Sequence, residues 1–181
     1  MEHLTGVESE SAEVTVCQKA GPGTAAVRGP QQRPPVLDRR PLCAPAAMCE
    51  AYHYSKPSAF SRGTEVDLGS VRLLFVSGTA SVGPKGETLH AGNFRTQARQ
   101  AFQNARAVLN SAGADWHDVV KATIFLKDIA AYYPAFNDVR CAYFKRVGLK
   151  VYPASTCVEA ALCRDELLVE MELIAVVRNG C

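Results

Sequence analysis

The side chains best suited to chemistry are concentrated in one stretch, residues 152–177, which holds carboxylates, thiols and a hydroxyl. The stretch is predicted to form two short β-strands joined by a tight polar loop. Side chains alternate between the two faces of a strand, so Ser155, Cys157 and Glu159 are predicted to share one face of the first strand. A cluster of this composition is typical of a binding or catalytic site.

The second predicted strand carries Glu170 and Glu172 on one face and an unbroken apolar row on the other. With a four-residue loop over Cys163–Glu166, antiparallel pairing places Glu159 opposite Glu170 and Cys157 opposite Glu172. A like charge opposite a carboxylate raises the pKa of one member of the pair, which suits a general acid near neutral pH.

The whole chain has the length and composition of a single globular domain, with 181 residues, 48% hydrophobic and 21% charged. The formal net charge of +2 is too small to predict nucleic-acid binding. No apolar run reaches the length of a transmembrane helix, and the first residues show no signal-peptide pattern. We therefore expect a cytoplasmic protein that binds neither membrane nor nucleic acid.

The seven cysteines show no C-x-x-C spacing, and the four histidines are scattered. In a reducing compartment, the cysteines are predicted to be free thiols. No pair of Cys or His has the spacing of zinc ligands, and Gly83–Gly86 is interpreted as a hairpin turn rather than a phosphate loop. We therefore expect no metal and no cofactor.

Residues 1–50 differ from the rest of the chain, because they hold six of the ten prolines and lack sustained apolar periodicity. They are predicted to be a mostly disordered tail, since such a segment buries too little surface to offset its ordering entropy. The folded domain is predicted to cover residues 51–181, so a product starting at Met48 would contain all of it.

From residue 51 onward, the pattern predicts the element order ββ-α-β-α-ββ, an α+β domain with two helices on one face of a mixed sheet. A helix with a strong apolar stripe runs from Asn93 or Phe94 to Ala112, and Asp128 caps a second helix that ends near Val147. The predicted strands before residue 152 are Val66–Leu68, Val71–Val76 and Val119–Leu126. The sheet face with the acids is left open, which indicates an oligomer.

Two long blocks of the sequence resemble the Rid/YjgF family. They are VSGTASVGPKGETLHAGNFRTQARQAFQNARAVLNSAGADWHDVVKATIFLKD and PASTCVEAALCRDELLVEMELIAV. The resemblance covers roughly Ala51–Val177. It implies a chorismate-mutase-like fold, a homotrimer, and three ligand clefts at the interfaces between subunits.

The resemblance also implies a chemistry, the hydrolysis of enamine and imine intermediates such as 2-aminoacrylate. Members with this activity carry P-A-R-S-x-V, in which the arginine binds the substrate carboxylate, whereas this chain has Ser155 at that position. A hydroxyl does not replace a bidentate guanidinium, so activity on 2-aminoacrylate is not expected. The family's active-site tyrosine is also not evident before Val66, where Phe60 is the nearest aromatic.

Several further site residues are implied by the same resemblance. Glu170 matches the glutamate that positions water or relays protons, Cys157 matches a cysteine that lines the cleft, and Asn137 matches an asparagine of the second helix. Arg140, one turn after Asn137, is a candidate for the missing cation. Thr79 is a candidate for offering its backbone N–H to an anion.

A second resemblance concerns the run C-R-x-E-L-L-V-E, which is similar to the C-terminal half of chorismatases. By this analogy, Glu170 protonates an enol ether and Cys163 forms a pocket wall. Chorismatases carry an additional N-terminal half that this chain lacks, so chorismate is not the expected substrate.

Two functional hypotheses follow from these observations. The first is a Rid-like hydrolase of the deaminase type that acts on a small enamine, imine or enol-like metabolite, with Glu170 as its acid/base or water-positioning group. The alternative is a trimer that binds a metabolite without catalysis. Loss of the arginine favours the second hypothesis, and retention of the glutamate and the asparagine favours the first.

Overall fold

The structure is a computed structural model that describes residues 37–179 of the chain. These residues form two long helices and a six-stranded sheet. In chain order, the elements are β1 (Arg39–Leu42), β2 (Gly63–Asp67), β3 (Val71–Ala80), α1 (Phe94–Ser111), β4 (Val119–Leu126), α2 (Ile129–Arg146), β5 (Ala154–Glu159) and β6 (Val169–Arg178). Short 3₁₀ turns lie at Ala51–His53 and Trp116–Asp118.

The strands form a mixed sheet in the order β1-β2-β3-β6-β4-β5. All neighbouring strands are antiparallel except β4 and β5, which are parallel. Two helices accompany this one sheet, as predicted. The α+β class and the chorismate-mutase-like arrangement are therefore confirmed.

The two helices begin and carry apolar residues where the sequence indicates. The Asn93 side chain accepts a hydrogen bond from the backbone N–H of Thr96 at 3.1 Å, and Asp128 caps Ala131 in the same way at 2.8 Å. These caps satisfy N–H groups that have no partner within the helix. The predicted apolar stripe of α1 is buried in the core, and its members are Ala98, Ala101, Phe102, Ala105, Val108 and Leu109.

The predicted domain boundary at residue 51 is wrong, because the fold begins earlier. Strand β1 pairs with β2 along its whole length, Leu42 is buried, and Met48 is fully buried in the core. A product starting at Met48 would therefore lack one strand. The predicted disorder of residues 1–36 concerns a segment outside the described residues.

The predicted hairpin of the last two strands is also wrong, because β5 and β6 are not neighbours. Strand β4 lies between them, parallel to β5 and antiparallel to β6, and residues 160–168 provide the connection. The core-facing side chains of β6 are fully apolar, so the strand is suited to a central position with a neighbour on each edge.

The described cysteines include one in a disulfide and four free thiols. Cys43 takes part in a disulfide, so the prediction that all cysteines are free is wrong for this residue. The free thiols among the described residues are Cys49, Cys141, Cys157 and Cys163.

On the open face of the sheet, Phe75 pairs with Ile174 and keeps 41% of its surface exposed within the single chain.

Candidate functional site

The carboxylate of Glu170 lies directly against the backbone of β3, where the strand carries a β-bulge. The pairing of β3 with β6 shifts between Val76 and Thr79, so β3 has one extra residue opposite β6. Within the bulge, a Cβ built on Gly78 would lie 2.1 Å from Glu170 Oε1. A larger residue at this position would have to displace the Glu170 carboxylate.

The surroundings of Glu170 favour its protonated form. Burial raises the pKa of this carboxyl above its usual value, and the nearby charge of Glu172 raises it further, whereas Arg62 acts in the opposite direction. A raised pKa shifts a carboxyl in the direction that suits a general acid.

Arg62 is the buried cation of this site, with only 3% of its surface exposed. Its Nε and Nη2 donate to the carbonyl oxygen of Cys49 at 3.0 and 2.5 Å, and Nη2 also donates to the Tyr54 hydroxyl. Its Cζ lies 5.4 Å from the ring centroids of both Tyr54 and Phe60. The guanidinium is therefore fixed by hydrogen bonds and by two aromatic rings.

Tyr54 forms a wall between two arginines. A Cβ on Gly86, whose φ is +80°, would lie 2.6 Å from Tyr54 Cδ1, so the ring packs on a glycine. On the same ring, Arg164 Cζ lies 5.1 Å from the centroid, and Arg164 Nη1 donates to the Gly86 carbonyl at 2.7 Å. Tyr54 thus joins Arg62 and Arg164 in one stacked group.

These residues line a cavity of about 810 Å³, which we call the Glu170 cleft. Its chemically relevant lining residues are the acid Glu170, the cations Lys56, Arg62, Lys85 and Arg164, the aromatics Tyr54 and Phe60, and the thiol Cys163. The structure therefore brings together three of the residues proposed from sequence, Phe60, Cys163 and Glu170.

Thr79 does not line this cleft. Its side chain is fully buried, and its hydroxyl donates to the Ser77 carbonyl at 2.7 Å. The neighbours Ser77, Gly78 and Ala80 line the cleft instead. The bulge in β3 adds one residue and so shifts the side-chain alternation of the strand just before Thr79.

Ser155 and Cys157 lie on the opposite face of the sheet from Glu170, so the predicted shared face is wrong. Ser155 and Cys157 pair with Ala122 and Ile124, two core residues of β4. Glu170 instead pairs with Phe125, whose side chain has the opposite parity on β4.

The Glu159 side chain contacts the beginning of α2 and does not lie beside Glu170. Its Oε2 accepts a hydrogen bond from the backbone N–H of Ile129 at 3.0 Å, at the beginning of α2. The raised pKa of Glu170 therefore arises mainly from burial, with Glu172 as the neighbouring like charge, and not from the predicted cross-strand partner.

A second polar group forms where α2 meets β5, and we call Asn137, Arg140 and Ser155 the α2–β5 group. Arg140 Nη1 donates to Ser155 Oγ at 3.3 Å, and Nη2 donates to Asn137 Oδ1. Arg140 Cζ also lies 5.4 Å from the Phe136 ring centroid. The side chain of Arg140 thus brings a guanidinium to position 155.

Cys157 lies near this group but is not activated. Burial raises the pKa of its thiol, and only the charge of Arg140 opposes that shift. A raised pKa reduces the thiolate fraction, so the environment of Cys157 favours a lining role over nucleophilic attack.

Five lining residues of the Glu170 cleft are not evident from the sequence, and they are Tyr54, Lys56, Arg62, Lys85 and Arg164. They come from four separate segments, and none has a spacing that marks it as part of a site. Among residues 37–179, no group of three or more His, Cys, Asp or Glu could hold a metal ion. Within the same residues, no helix is long and apolar enough to span a membrane.

The fold is that of an α+β protein of the YjgF type. It has two helices, a six-stranded mixed sheet and a glutamate on the central strand of that sheet. The YjgF gene product of Escherichia coli has this fold, with a TM-score of 0.61 and 30% sequence identity over 77% of this chain and 99% of its own. Escherichia coli TdcF, solved with bound serine, matches with a TM-score of 0.62 and 28% identity over 77% of this chain and 99% of its own.

The sequence comparison agrees with the structural one. The model of the family described as Endoribonuclease L-PSP matches residues 55–177, and the chain belongs to this family, the Rid/YjgF family. A RutC family protein from Synechocystis is 38% identical over 58% of this chain and 78% of its own length. A 2-iminobutanoate/2-iminopropanoate deaminase from Salmonella typhimurium is 36% identical over 62% of this chain and 84% of its own length.

The contact between Gly78 and Glu170 predicts a specific double-mutant result. Gly78→Ala should destabilise the fold by about 1–3 kcal/mol, because the added Cβ overlaps the Glu170 carboxylate. In a Glu170→Ala background, most of this cost should disappear, and denaturant unfolding of the four proteins measures the coupling. Additive effects of the two substitutions would contradict the proposed contact.

The raised pKa of Glu170 predicts a pH-dependent effect on stability. Its pKa is higher in the folded than in the unfolded chain, so its contribution is fully present below the unfolded pKa and is lost as pH rises through the folded pKa. Glu170→Gln should therefore gain stability relative to wild type as pH rises, with the gap smallest in acid. Urea midpoints from pH 4 to 8 test this, and a gap independent of pH would contradict it.

Proposed function

We propose that this protein is a Rid-type hydrolase of the deaminase kind, which acts on a small enamine, imine or enol-like metabolite. The observation that carries the proposal is the Glu170 carboxyl, held in a cation-lined cleft with its pKa raised by burial. Membership of the Rid/YjgF family and the relatives named 2-iminobutanoate/2-iminopropanoate deaminase support the same reaction class.

The proposed reaction uses Glu170 in both of its protonation states. As an acid, Glu170 protonates the carbon of an enamine C=C, which gives an iminium group. As a base, it takes a proton from the water that attacks the iminium carbon, and the resulting carbinolamine loses ammonia to leave a keto acid. The net change is one imine and one water converted to one ketone and one ammonia, so no cofactor is required.

We also propose that the complete site lies between subunits of a homotrimer. In one chain, the Glu170 cleft and the α2–β5 group lie on opposite faces of the sheet, so they cannot hold the same small molecule. A neighbouring copy would supply the α2–β5 group to each cleft. In this arrangement, Arg140 provides the guanidinium that binds the substrate carboxylate in place of the arginine replaced by Ser155.

The alternative function is metabolite binding without catalysis. The residue change that favours it is Ser155, because β5 carries no arginine at this position. The cation-lined cleft fits an anionic ligand under either function. Turnover is therefore the property that separates the two.

The activity test uses 2-aminoacrylate and a series of 2-imino acids, generated in solution by a dehydratase or an amino-acid oxidase. Wild type should accelerate keto-acid release from at least one of them, and Glu170→Gln should reduce that acceleration by about 100-fold or more, because a general acid/base group is lost. Glu166→Gln, an exposed carboxyl outside the cleft lining, is the matched control.

Two results would decide against the hydrolase. One is equal rates for wild type and Glu170→Gln on every substrate. The other is saturable binding of the same acids with no release of ammonia, which would support the alternative function.

The shared site predicts complementation between two inactive variants. Glu170→Gln and Arg140→Ala should each be inactive alone, but coexpressed chains that assemble at random should regain about a quarter of the wild-type activity. That fraction follows because each cleft takes its glutamate from one subunit and its arginine from another. Light scattering of the mixture checks the trimer, and a mixture as inactive as either variant would contradict the shared cleft.

A further inference from the structure

The charges that line the Glu170 cleft are strongly unbalanced. Among the described lining residues, Lys56, Arg62, Lys85 and Arg164 are cations, whereas Glu170 is the one carboxylate. The carboxylate of a simple 2-imino acid would balance a single cation. The cleft therefore holds more positive charge than a ligand with one negative charge can neutralise.

The inner cation of the cleft is Arg62, which lies beside the acid. Its charge partly opposes the rise in the pKa of Glu170 that burial and Glu172 cause. Nε and Nη2 of Arg62 are occupied by Cys49 and Tyr54, while its Nη1 donates to no acceptor in the part of the chain that the structure describes. Nη1 is therefore the donor of this buried guanidinium that remains for a ligand.

The outer cations of the cleft are Arg164, which also contacts the Tyr54 ring, and the lysines Lys56 and Lys85. Arg164 Cζ lies 5.1 Å and Arg62 Cζ lies 5.4 Å from the centroid of the same Tyr54 ring, so both guanidinium groups contact one ring of the cleft lining. Lys85 precedes Gly86, on which that ring packs, and Lys56 follows Tyr54 by two residues. Both lysines are exposed at the cleft.

Glu87, the acid closest in sequence to Lys85, does not neutralise the outer cations from within the cleft. Glu87 follows Lys85 by two residues, but its Oε2 accepts the backbone N–H of Lys85 at 2.9 Å, and its carboxylate packs on Gly83. Glu87 is not among the residues that line the cleft. Its carboxylate is thus engaged by the turn between Gly83 and Glu87.

We propose that the Glu170 cleft selects a small dianion, in which a second anionic group is carried a short carbon chain away from the carboxylate next to the reacting carbon. Arg62, together with Arg140 of the neighbouring copy in the proposed trimer, binds the first group beside Glu170, and Arg164, Lys85 and Lys56 bind the second. The placing of the reacting carbon rests on the proposed function. The relatives named 2-iminobutanoate/2-iminopropanoate deaminase are named for substrates with one carboxylate, so this chain is inferred to differ from them in substrate class.

The test measures binding of stable keto acids, which resemble the products of the reaction and need no turnover. Isothermal calorimetry compares 2-oxobutanoate, which has one carboxylate, with 2-oxoglutarate, which has two. A third probe, 2-oxo-4-phosphonobutanoate, keeps the carbon chain of 2-oxoglutarate, replaces its second carboxylate by a phosphonate and identifies the preferred type of second group. Dianions should bind about tenfold or more tightly than 2-oxobutanoate, because a further charge-assisted contact forms.

Lysine variants locate the source of the preference. Lys56→Gln combined with Lys85→Gln should reduce the preference for dianions, because the affinity for 2-oxoglutarate falls more than the affinity for 2-oxobutanoate. Lys145→Gln combined with Lys150→Gln removes the same charge from exposed positions outside the cleft and should keep the preference. Both pairs are exposed, so folding should be unaffected.

The outcomes separate this inference from the proposed function. Equal affinity for all three keto acids, or equal loss in the two lysine pairs, would overturn the dianion preference. Hydrolysis that depends on Glu170 but is confined to monoanionic imines would do the same and leave the hydrolase intact. Tight dianion binding without any imine hydrolysis would support the cleft's selectivity while the proposed reaction fails.

Discussion

The pairing of β6 with two strands at once is the constraint on which the rest of the structure depends. One edge of β6 binds β3 and the other binds β4, so this strand joins the N-terminal and C-terminal parts of the sheet. The two faces of β6 carry side chains of different kinds. Val169, Met171, Leu173 and Ala175 fill the core, and Glu170 projects from the other face into the cleft. Core packing therefore fixes the direction of the acid.

The elements that depend on local signals could be predicted from the sequence. The stripe of α1, the caps at Asn93 and Asp128 and the strand Val119–Leu126 each follow from the spacing or chemistry of nearby residues. The partner of a strand is not a local property. The pattern of β5 and β6 fits a hairpin equally well, and only the competition of β4 for the same edge excludes it. The short β1 was missed for a related reason, because four residues in a proline-containing segment give no measurable periodicity.

The candidate site shows the same division between local and long-range information. Glu170, Phe60 and Cys163 could be proposed from motifs, but the contribution of Arg62 depends on contacts with Cys49 and Tyr54. The bulge at Gly78 is invisible in the sequence, although it decides that Glu170 fits and that Thr79 faces away. Parity predictions are reliable within one regular strand and fail when an unpredicted strand or bulge intervenes.

The central place of β6 has a consequence for how the chain folds during synthesis. Strands β1–β3 and strands β4–β5 are made first, but the two groups share no direct pairing. The edges of β3 and β4 that bind β6 stay unpaired until β6 is available. Such edges favour pairing with other chains, so the partly synthesised protein is vulnerable to aggregation. The segment that removes this exposure also carries the acid. A ribosome-bound chain that lacks β6 therefore has neither a continuous sheet nor the Glu170 carboxyl, and the two arrive in a single late, long-range folding step.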